Sequence, residues 1–324
     1  MKTAALLCAA AFSFFTSIAG AQETYPSQPI TIVVPFSAGG PTDTVTRLIA
    51  EPMGRELGQQ IVISNVAGAG GTLASGQVAK AKPDGYTLLM HHIGMSTAPT
   101  LYRNLDFDPQ VDFATLGLVT NVPMTLIARK DFEPSTLQEL VTFVKANKDS
   151  VVYANAGIGA ASHLCGMLFM NAIDTALTTV PYKGTGPAMT DILSGDVDLM
   201  CDQSTNTTGQ IKGGEVKVYA VTTPERLGNL PDVPTTTEAG LPGFQVGVWH
   251  GLYAPKGTDP AIVAKVSKAL QTALKDPKVI ERFAELGTTP VAEDQATPEA
   301  HKAYLAEQIA LWKPIIEKAG VFAD

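Results

Sequence analysis

A repeated order of hydrophobic and polar positions organises the chain: an apolar strand pattern, a glycine turn, then a helix pattern. The first example starts with the apolar run 30–34 and continues through a turn that holds Gly39 and Gly40. Apolar residues then recur at three- and four-residue spacing from Val45 to Leu57, which predicts an amphipathic helix. Pro41 suits the first turn of this helix, because proline's missing N–H is not needed there.

The same order returns in the second half of the chain. Residues 151–154 form a strand pattern, residues 155–162 a turn of small residues, and residues 163–169 a helix pattern. The start of a helix presents free backbone N–H groups that attract an anion. Two such clusters facing each other would clasp one anionic ligand between two domains. The alternative is that both are ordinary strand-to-helix connections that bind nothing.

The remaining pattern completes an alternation of strands and helices. Two long extended runs, 117–128 and 244–255, are interpreted as the chain leaving one domain and returning to it. Ser135, with Glu139 close to capping-box spacing, predicts a helix start. Pro52 is expected to kink the first helix. Shorter strand patterns occupy 60–65, 86–92, 196–202 and 216–221, and two amphipathic stretches, 260–286 and 298–319, predict packing helices.

The first 21 residues have the pattern of a secretory signal peptide. Lys2 supplies a positive charge, residues 4–18 are an apolar core too short to span a bilayer, and residues 19–21 form an Ala-x-Ala cleavage site. Cys8 lies in the removed part, and Leu7 before it argues against a lipid anchor. We therefore expect an exported protein of the periplasm. Removal of 21 of the 324 residues leaves 303, enough for two domains.

Charge limits the class of partner. The net charge is −8, and loss of Lys2 makes the mature value −9. An acidic protein is a poor partner for nucleic acid or for an anionic membrane surface. An acidic ligand would therefore be held by local geometry and not by a basic surface.

Two cysteines, Cys165 and Cys201, remain in the mature chain. An even number in an oxidising compartment favours one disulfide. The alternative is two buried thiols.

Motifs of nucleotide-binding and catalytic sites are missing. No Gly-Lys-Ser/Thr follows Gly39-Gly40, and in the turn 66–72 the third position of G-x-G-x-x-G falls on Leu73. There is no Gly-x-Ser-x-Gly elbow, His-Glu-x-x-His or Cys-x-x-Cys, and Ser162-His163 has no evident acidic partner. His91 and His92 follow each other on a strand and should point to opposite faces, which makes a poor metal pair. Either could line a cleft or be an ordinary buried or solvent-facing histidine. We expect a protein that is not an enzyme and needs no cofactor or metal.

Several motifs occur together in one order along nearly the whole mature chain. They are residues 32–36 with 39–43, 66–71, 83–88, 182–184 with 187–188, 232–235 with 238–240, and Trp249 with Ala254-Pro255. In these motifs the chain resembles the Bug family, the TctC-like extracytoplasmic solute receptors of tripartite tricarboxylate transporters.

The resemblance implies a fold and a domain organisation. The fold is a type II periplasmic binding protein, with two α/β domains joined by crossing strands and a ligand cleft between them. The predicted parts are the signal peptide at 1–21, domain 1 at 22–122 and 244–324, and domain 2 at 123–243. The protein is expected to be a monomer that delivers its ligand to membrane permease subunits. A sensor subunit of a two-component system is the alternative, and an exported hydrolase is a further one.

The resemblance also implies a ligand class and a site. Family ligands are mostly carboxylates, and one carboxylate typically lies between the two glycine turns. The site residues carried over to this sequence are Phe36, Ser37, Gly39, Gly40, Thr42 and Asp43 from domain 1, with Asn155, Ala156, Gly157, Ala160, Ser162, His163, Asp202 and Gln203 from domain 2.

Three histidines depart from the family pattern. The family usually has small or aliphatic residues near His91 and His92, and His250 replaces the usual residue after the crossing tryptophan. An imidazole can donate to a second carboxylate, and Phe36 can pack on a ring. We therefore add these histidines to the site and expect a dicarboxylate, either an aromatic one such as terephthalate or an aliphatic one.

Overall fold

The computed structural model describes residues 25–323. The predicted signal peptide and Cys8 lie outside the described residues. Among the described helices, none is both long enough and apolar enough to cross a membrane.

Strands and helices alternate over residues 25–323, as the pattern predicts. The strands are β1 (Ile30–Val34), β2 (Ile61–Asn65), β3 (Thr87–His92), β4 (Phe113–Arg129), β5 (Val152–Asn155), β6 (Thr178–Pro181), β7 (Leu199–Gln203), β8 (Val216–Val221) and β9 (Gly247–Pro255). The helices are α1 (Pro41–Leu57), α2 (Thr72–Ala79), α3 (Gly94–Leu101), α4 (Leu137–Ala146), α5 (Ala161–Ala172), α6 (Thr185–Ser194), α7 (Ser204–Lys212), α8 (Pro260–Leu274), α9 (Pro277–Glu285) and α10 (Pro298–Ala319). A short 3₁₀ turn, Ala69–Gly71, precedes α2.

The long strand β4 connects two sheets. Its first part, Phe113 to Pro123, pairs antiparallel with β9, which lies beside β3 in the order β2-β1-β3-β9. Its last part, Met124 to Arg129, pairs with β7 and β8, and β7 leads on to β5 and β6. The molecule therefore has two α/β domains, the first built on β1–β3 and β9 and the second on β5–β8. The exact boundaries at 122/123 and 243/244 stay a prediction.

The parallel strands place the turns that lead into α1, α2 and α3 at one edge of the first sheet, and those that lead into α5, α6 and α7 at one edge of the second. In the first domain β1 pairs in parallel with β2 and β3, and in the second β5 pairs in parallel with β6 and β7. Apolar faces of α1 and α8 cover the first sheet, where Ile32, Ile49 and Leu270 belong to one buried cluster. Burial of each such side chain stabilises the fold by about 1.5–3 kcal/mol.

The structure corrects two details of the predicted elements. Thr136 and not Ser135 is the N-cap of α4, and it forms a capping box with Glu139. The stretch 260–286 is two helices, because Asp276 caps α9 and Pro277 begins it. Helix α1 continues through Pro52 to Leu57, and the kink expected at Pro52 stays a prediction. Helices α3 and α7 were not predicted.

The predicted disulfide is confirmed. Cys165 on α5 is bonded to Cys201 on β7, with their Cα atoms 6.0 Å apart. It ties the helix after the second glycine turn to the strand that ends in Asp202 and Gln203.

Replacing both cysteines with alanine should lower the free energy of unfolding by about 2–4 kcal/mol, because the bond restricts the unfolded chain. The loop it closes spans 36 residues. Urea unfolding of both proteins, with and without reductant, measures the effect. Reductant should destabilise only the protein that has both cysteines, and equal stability of the two proteins would contradict a bond in the folded molecule.

Candidate functional site

A small cleft lies where the strand-to-helix turns of the two domains face each other. The space between its lining atoms, part of which is open to solvent, is about 250 Å³. Its lining combines apolar side chains with buried hydroxyl, carboxyl, amide and imidazole groups. The lining residues are Phe36, Pro41, Thr42 and His92 from the first domain, with Ala156, Ala160, Ala161, Ser162, Thr185, Asp202 and Gln203 from the second.

Helices that begin at this cleft have no side-chain caps. The N-cap residues of α1, α5, α6 and α7 are Gly40, Ala160, Gly184 and Gln203, and none of their side chains bonds to the first turn. By contrast α4, α8, α9 and α10 begin away from the lining, and each is capped by a Thr or Asp side chain. Uncapped helix starts leave backbone N–H groups and the positive end of the helix dipole open to an anion. The local sequence thus favours anion binding at the cleft, although α2 and α3, whose N-cap residues lie outside the lining, are also uncapped.

Asp43 shapes the first glycine turn. Its carboxylate accepts hydrogen bonds from the Gly39 N–H (2.9 Å), the Asn65 amide (3.1 Å) and the Arg47 Nε (2.8 Å). Burial acts to raise the pKa of Asp43, but these hydrogen bonds outweigh it and lower the pKa. Its oxygens are engaged within the domain, and Asp43 is not in the lining of the cleft. Asp43 therefore stabilises the first glycine turn.

The second turn is braced in a similar way. Asn155 Oδ1 accepts a hydrogen bond from the Gly157 N–H (2.9 Å), and Ser162 Oγ accepts one from the Ala156 N–H (2.8 Å). His163 Nδ1 accepts from the Gly159 N–H (3.3 Å), and burial lowers the pKa of His163 to about 4. Ser162 lines the cleft, and its hydroxyl proton donates to no group within residues 25–323. That proton is available to a ligand.

Three buried histidines lie together behind the first turn. The His92 ring stacks on Phe36 with centroids 4.7 Å apart, and the rings of His91 and His250 lie 4.9 and 5.9 Å from it. The expected separation of His91 and His92 on opposite faces is wrong, because β3 ends at His92 and the two rings meet there. Burial lowers the pKa values of all three, to about 3 for His91 and His250, so the cluster is neutral.

Strand β7 ends at the cleft with two buried polar residues. Asp202 accepts a hydrogen bond from the Asn206 amide (2.6 Å). Burial raises the pKa of Asp202 to about 6, and the hydrogen bond from the Asn206 amide limits the rise. The Gln203 side-chain oxygen has no hydrogen-bond partner within the described chain. A buried polar atom without a partner is costly, so this oxygen indicates a place where water or a ligand belongs.

The two domains touch on both sides of the cleft. The Ser37 N–H donates to the Lys183 carbonyl (3.1 Å). The Tyr102 hydroxyl lies 2.7 Å from the carbonyl oxygens of both Ala69 and Ile158. Since Lys183 and Ile158 belong to the second domain, these contacts hold the domains in a closed arrangement.

The structure brings part of the predicted site into the lining and places the rest around it. Predicted residues in the lining are Phe36, Thr42, His92, Ala156, Ala160, Ser162, Asp202 and Gln203. Predicted residues outside the lining are Ser37, Gly39, Gly40, Asp43, His91, Asn155, Gly157, His163 and His250. Sequence reasoning missed Pro41, Ala161 and Thr185. For Thr185 a signal existed, because Gly184 precedes a helix start there.

Metal binding has no support in the described chain. Residues 25–323 contain no group of three or more His, Cys, Asp or Glu side chains arranged to hold a metal ion.

Comparisons with known proteins agree with this architecture. Residues 45–321 match the family of tripartite tricarboxylate transporter receptors, TctC. A UPF0065 protein of Agrobacterium vitis, from the TAR-I ttuE-ttuC' intergenic region, is 54% identical over 303 residues, which cover 94% of this chain and 88% of that protein.

Solved structures give the same result. The periplasmic binding protein BugD superposes with a TM-score of 0.91 at 52% identity and covers 93% of this chain and 100% of its own. MatC from Rhodopseudomonas palustris, solved with bound malate, superposes with a TM-score of 0.88 at 43% identity, covering 90% and 100%. The chain therefore belongs to the TctC family of solute-binding receptors of tripartite tricarboxylate transporters, which are not enzymes.

Proposed function

We propose that this protein is a periplasmic receptor for a small aliphatic dicarboxylate of the malate type. It hands this ligand to the membrane subunits of a tripartite tricarboxylate transporter. One observation carries the proposal: uncapped helix starts from both domains surround a single small cleft. A carboxylate there receives backbone N–H groups without any need for a lysine or arginine.

The size of the cleft favours a small ligand. Only about 10 Å³ of it is open to the centre of a water-sized sphere, against the ~300–1,000 Å³ typical of pockets for drug-sized molecules, so the lining has to move apart to admit any ligand. A four-carbon dicarboxylate requires a smaller opening than terephthalate, which adds a rigid ring between its carboxylates. MatC, solved with malate, is similar over its whole length and supports the same class.

The two ends of the cleft suit two carboxylates. One carboxylate meets the starts of α1 and α5, where the Thr42 and Ser162 hydroxyls lie. The other reaches His92, whose Nδ1 accepts a hydrogen bond from the Gly94 N–H (3.0 Å). A neutral histidine with that bond carries its proton on Nε2, so His92 can donate to the ligand without being charged.

Closure explains how the receptor holds its ligand. The ligand binds first to one domain, and the second domain then adds its N–H groups to the same molecule. Closure is favoured because the ligand meets both domains only in the closed state. We propose that the moving bodies are 22–122 with 244–324 and 123–243, that the receptor acts as a monomer, and that no cofactor takes part.

A ligand screen tests the proposal. The mature protein is melted with L-malate, succinate, adipate, terephthalate and acetate, and binders are measured by titration calorimetry. At 100 times its Kd, malate or succinate should stabilise the fold by about 2.7 kcal/mol and raise the Tm by roughly 5–10 °C. One ligand should bind per chain and be recovered unchanged. Binding of none of the dicarboxylates, or conversion of one to a product, would overturn the proposal.

A further inference from the structure

His250 has a hydrogen-bonding pattern that fixes the position of its proton. The ring is fully buried, with Nδ1 3.2 Å from the Val248 carbonyl oxygen and Nε2 3.3 Å from Thr42 Oγ1. A carbonyl oxygen only accepts hydrogen bonds, so Nδ1 carries the proton of the neutral ring. Nε2 is then an acceptor, and the Thr42 hydroxyl donates its only proton to it.

This arrangement conflicts with anion binding by Thr42. Thr42 lines the cleft, and a carboxylate can accept only from its hydroxyl proton. If that proton turns to the ligand, Nε2 of His250 is left buried without a partner, which is unfavourable. A second proton on His250 removes the conflict, because Nε2–H then donates to Thr42 Oγ1 while the Thr42 hydroxyl donates to the carboxylate.

We propose that His250 takes up one proton when a carboxylate binds and, acting through Thr42, is the buried counter-charge of the ligand. His250 is a positioning residue, since it reaches the ligand only through the threonine hydroxyl. The inference rests on the proposed function, because it requires an anion in this cleft.

The two neighbouring histidines have the opposite proton arrangement. His91 Nδ1 accepts from the His92 N–H (2.7 Å), and His92 Nδ1 accepts from the Gly94 N–H (3.0 Å). Each neutral ring therefore already offers Nε2–H, and a second proton would face a backbone N–H. Ligand binding gives these two rings no reason to become charged, whereas it removes the partner of His250.

Apart from His91 and His92, few titratable groups of the described chain are packed near His250, and among them Asp202 is the one that also lines the cleft. On α1, Asp43 is paired with Arg47, and on β3 the neutral His91 and His92 face the ring. On β4 the paired residue is Thr120, which cannot titrate. The remaining buried groups are Asp202 on β7, which lines the same cleft, and Tyr253 and His301, which contact each other beside β9.

The sign of the pH effect follows from linkage. Burial holds the pKa of His250 near 3 in the empty site, and a bound anion raises it. Between these two pKa values the bound state holds one more proton than the free state, so affinity rises as pH falls. For the uptake of one proton, Kd decreases about tenfold for each unit by which the pH is lowered within this range.

Titration calorimetry with L-malate tests the inference between pH 6 and pH 8, where malate is already a dianion. Repeating each titration in buffers of different ionisation enthalpy counts the protons taken up. We expect the number of protons taken up per malate to approach one as the pH falls below the pKa of His250 in the complex, and Kd to decrease over the same range. Binding without proton uptake would overturn the inference and leave the proposed function intact, whereas absence of binding of both malate and succinate would overturn the proposed function itself.

Variants identify the residue that takes up the proton. H250Q and T42V should each bind malate more weakly and lose both proton uptake and pH dependence, while T42S should retain them. H301Q is the matched control, because His301 is a buried histidine outside the lining, and it should keep the uptake. Loss of uptake in D202N with retention in H250Q and T42V would assign the proton to Asp202 and contradict the inference.

Discussion

Replacing Gly70 with alanine should raise the Kd for the dicarboxylate at least about 100-fold, because the closed arrangement cannot form. A Cβ atom at Gly70 would lie 1.8 Å from the Ile158 carbonyl oxygen. Gly70 belongs to the first domain and Ile158 to the second, so the clash with Ile158 exists only when the domains are closed, whereas the Tyr102 hydroxyl, 2.6 Å from the same Cβ, has to shift in either state. A loss of 100-fold corresponds to about 2.7 kcal/mol, which is modest for losing the contacts of one whole domain.

Gly58 offers a matched control for the backbone. Gly70 has φ +58° and Gly58 has φ +69°, so the left-handed conformation raises the free energy of an alanine by a similar amount at either position. A Cβ atom at Gly58, however, meets nothing within 4 Å. Both variants should lose about 1–2 kcal/mol of unfolding free energy, but only G70A should lose binding.

Calorimetry and small-angle scattering distinguish the two variants. With saturating malate, the normal protein and G58A should have the smaller radius of gyration of the closed form, whereas G70A should keep the larger radius of an open form. If G70A binds malate within threefold of the normal protein, domain closure at this contact has no role in binding.

Much of the fold was predictable because its signals are local. β-Branched runs predict β1, β5 and β8, and the apolar stripe predicts α1 and α10. Helices α3 and α7 lack such a signal. Residues 204–208 of α7 are Ser-Thr-Asn-Thr-Thr, which are poor helix formers, and the helix forms where the chain leaves β7.

The site was predictable as a set of turns but not as a set of contacts. Sequence places Thr42 and Ser162 at helix starts, and the structure finds both in the lining. Sequence does not tell which polar atoms are already engaged: the Asp43 carboxylate holds its own turn. The contact between Thr42 and His250 joins residues 208 positions apart, so it depends on the pairing of β9 with β3.

Removing one hydroxyl from each domain should also weaken malate binding strongly. The double variant T42A/S162A should raise the Kd for malate at least about 100-fold but less than the ~10²–10⁴-fold product of the two single effects, because each hydrogen bond to a charged group contributes about 1.5–3 kcal/mol. Either single variant should raise the Kd about 10–100-fold by the same estimate. Both side chains are small and buried at the starts of α1 and α5, so truncation leaves little empty space.

A second serine and threonine pair separates binding from stability. Ser267 and Thr258 are also buried, but neither lines the cleft. The control double variant T258A/S267A should keep an unchanged Kd. T42A/S162A should lose more unfolding free energy than this control, because it leaves the Ala156 N–H and His250 Nε2 without their partners. Calorimetry on the unmutated protein, T42A, S162A and T42A/S162A gives a double-mutant cycle for Thr42 and Ser162. Because the two hydroxyls meet the ligand together only in the closed state, their effects should be coupled, so the double variant should lose less than the product of the two single losses. An unchanged Kd in T42A/S162A would mean that the carboxylate is not held between these two helix starts.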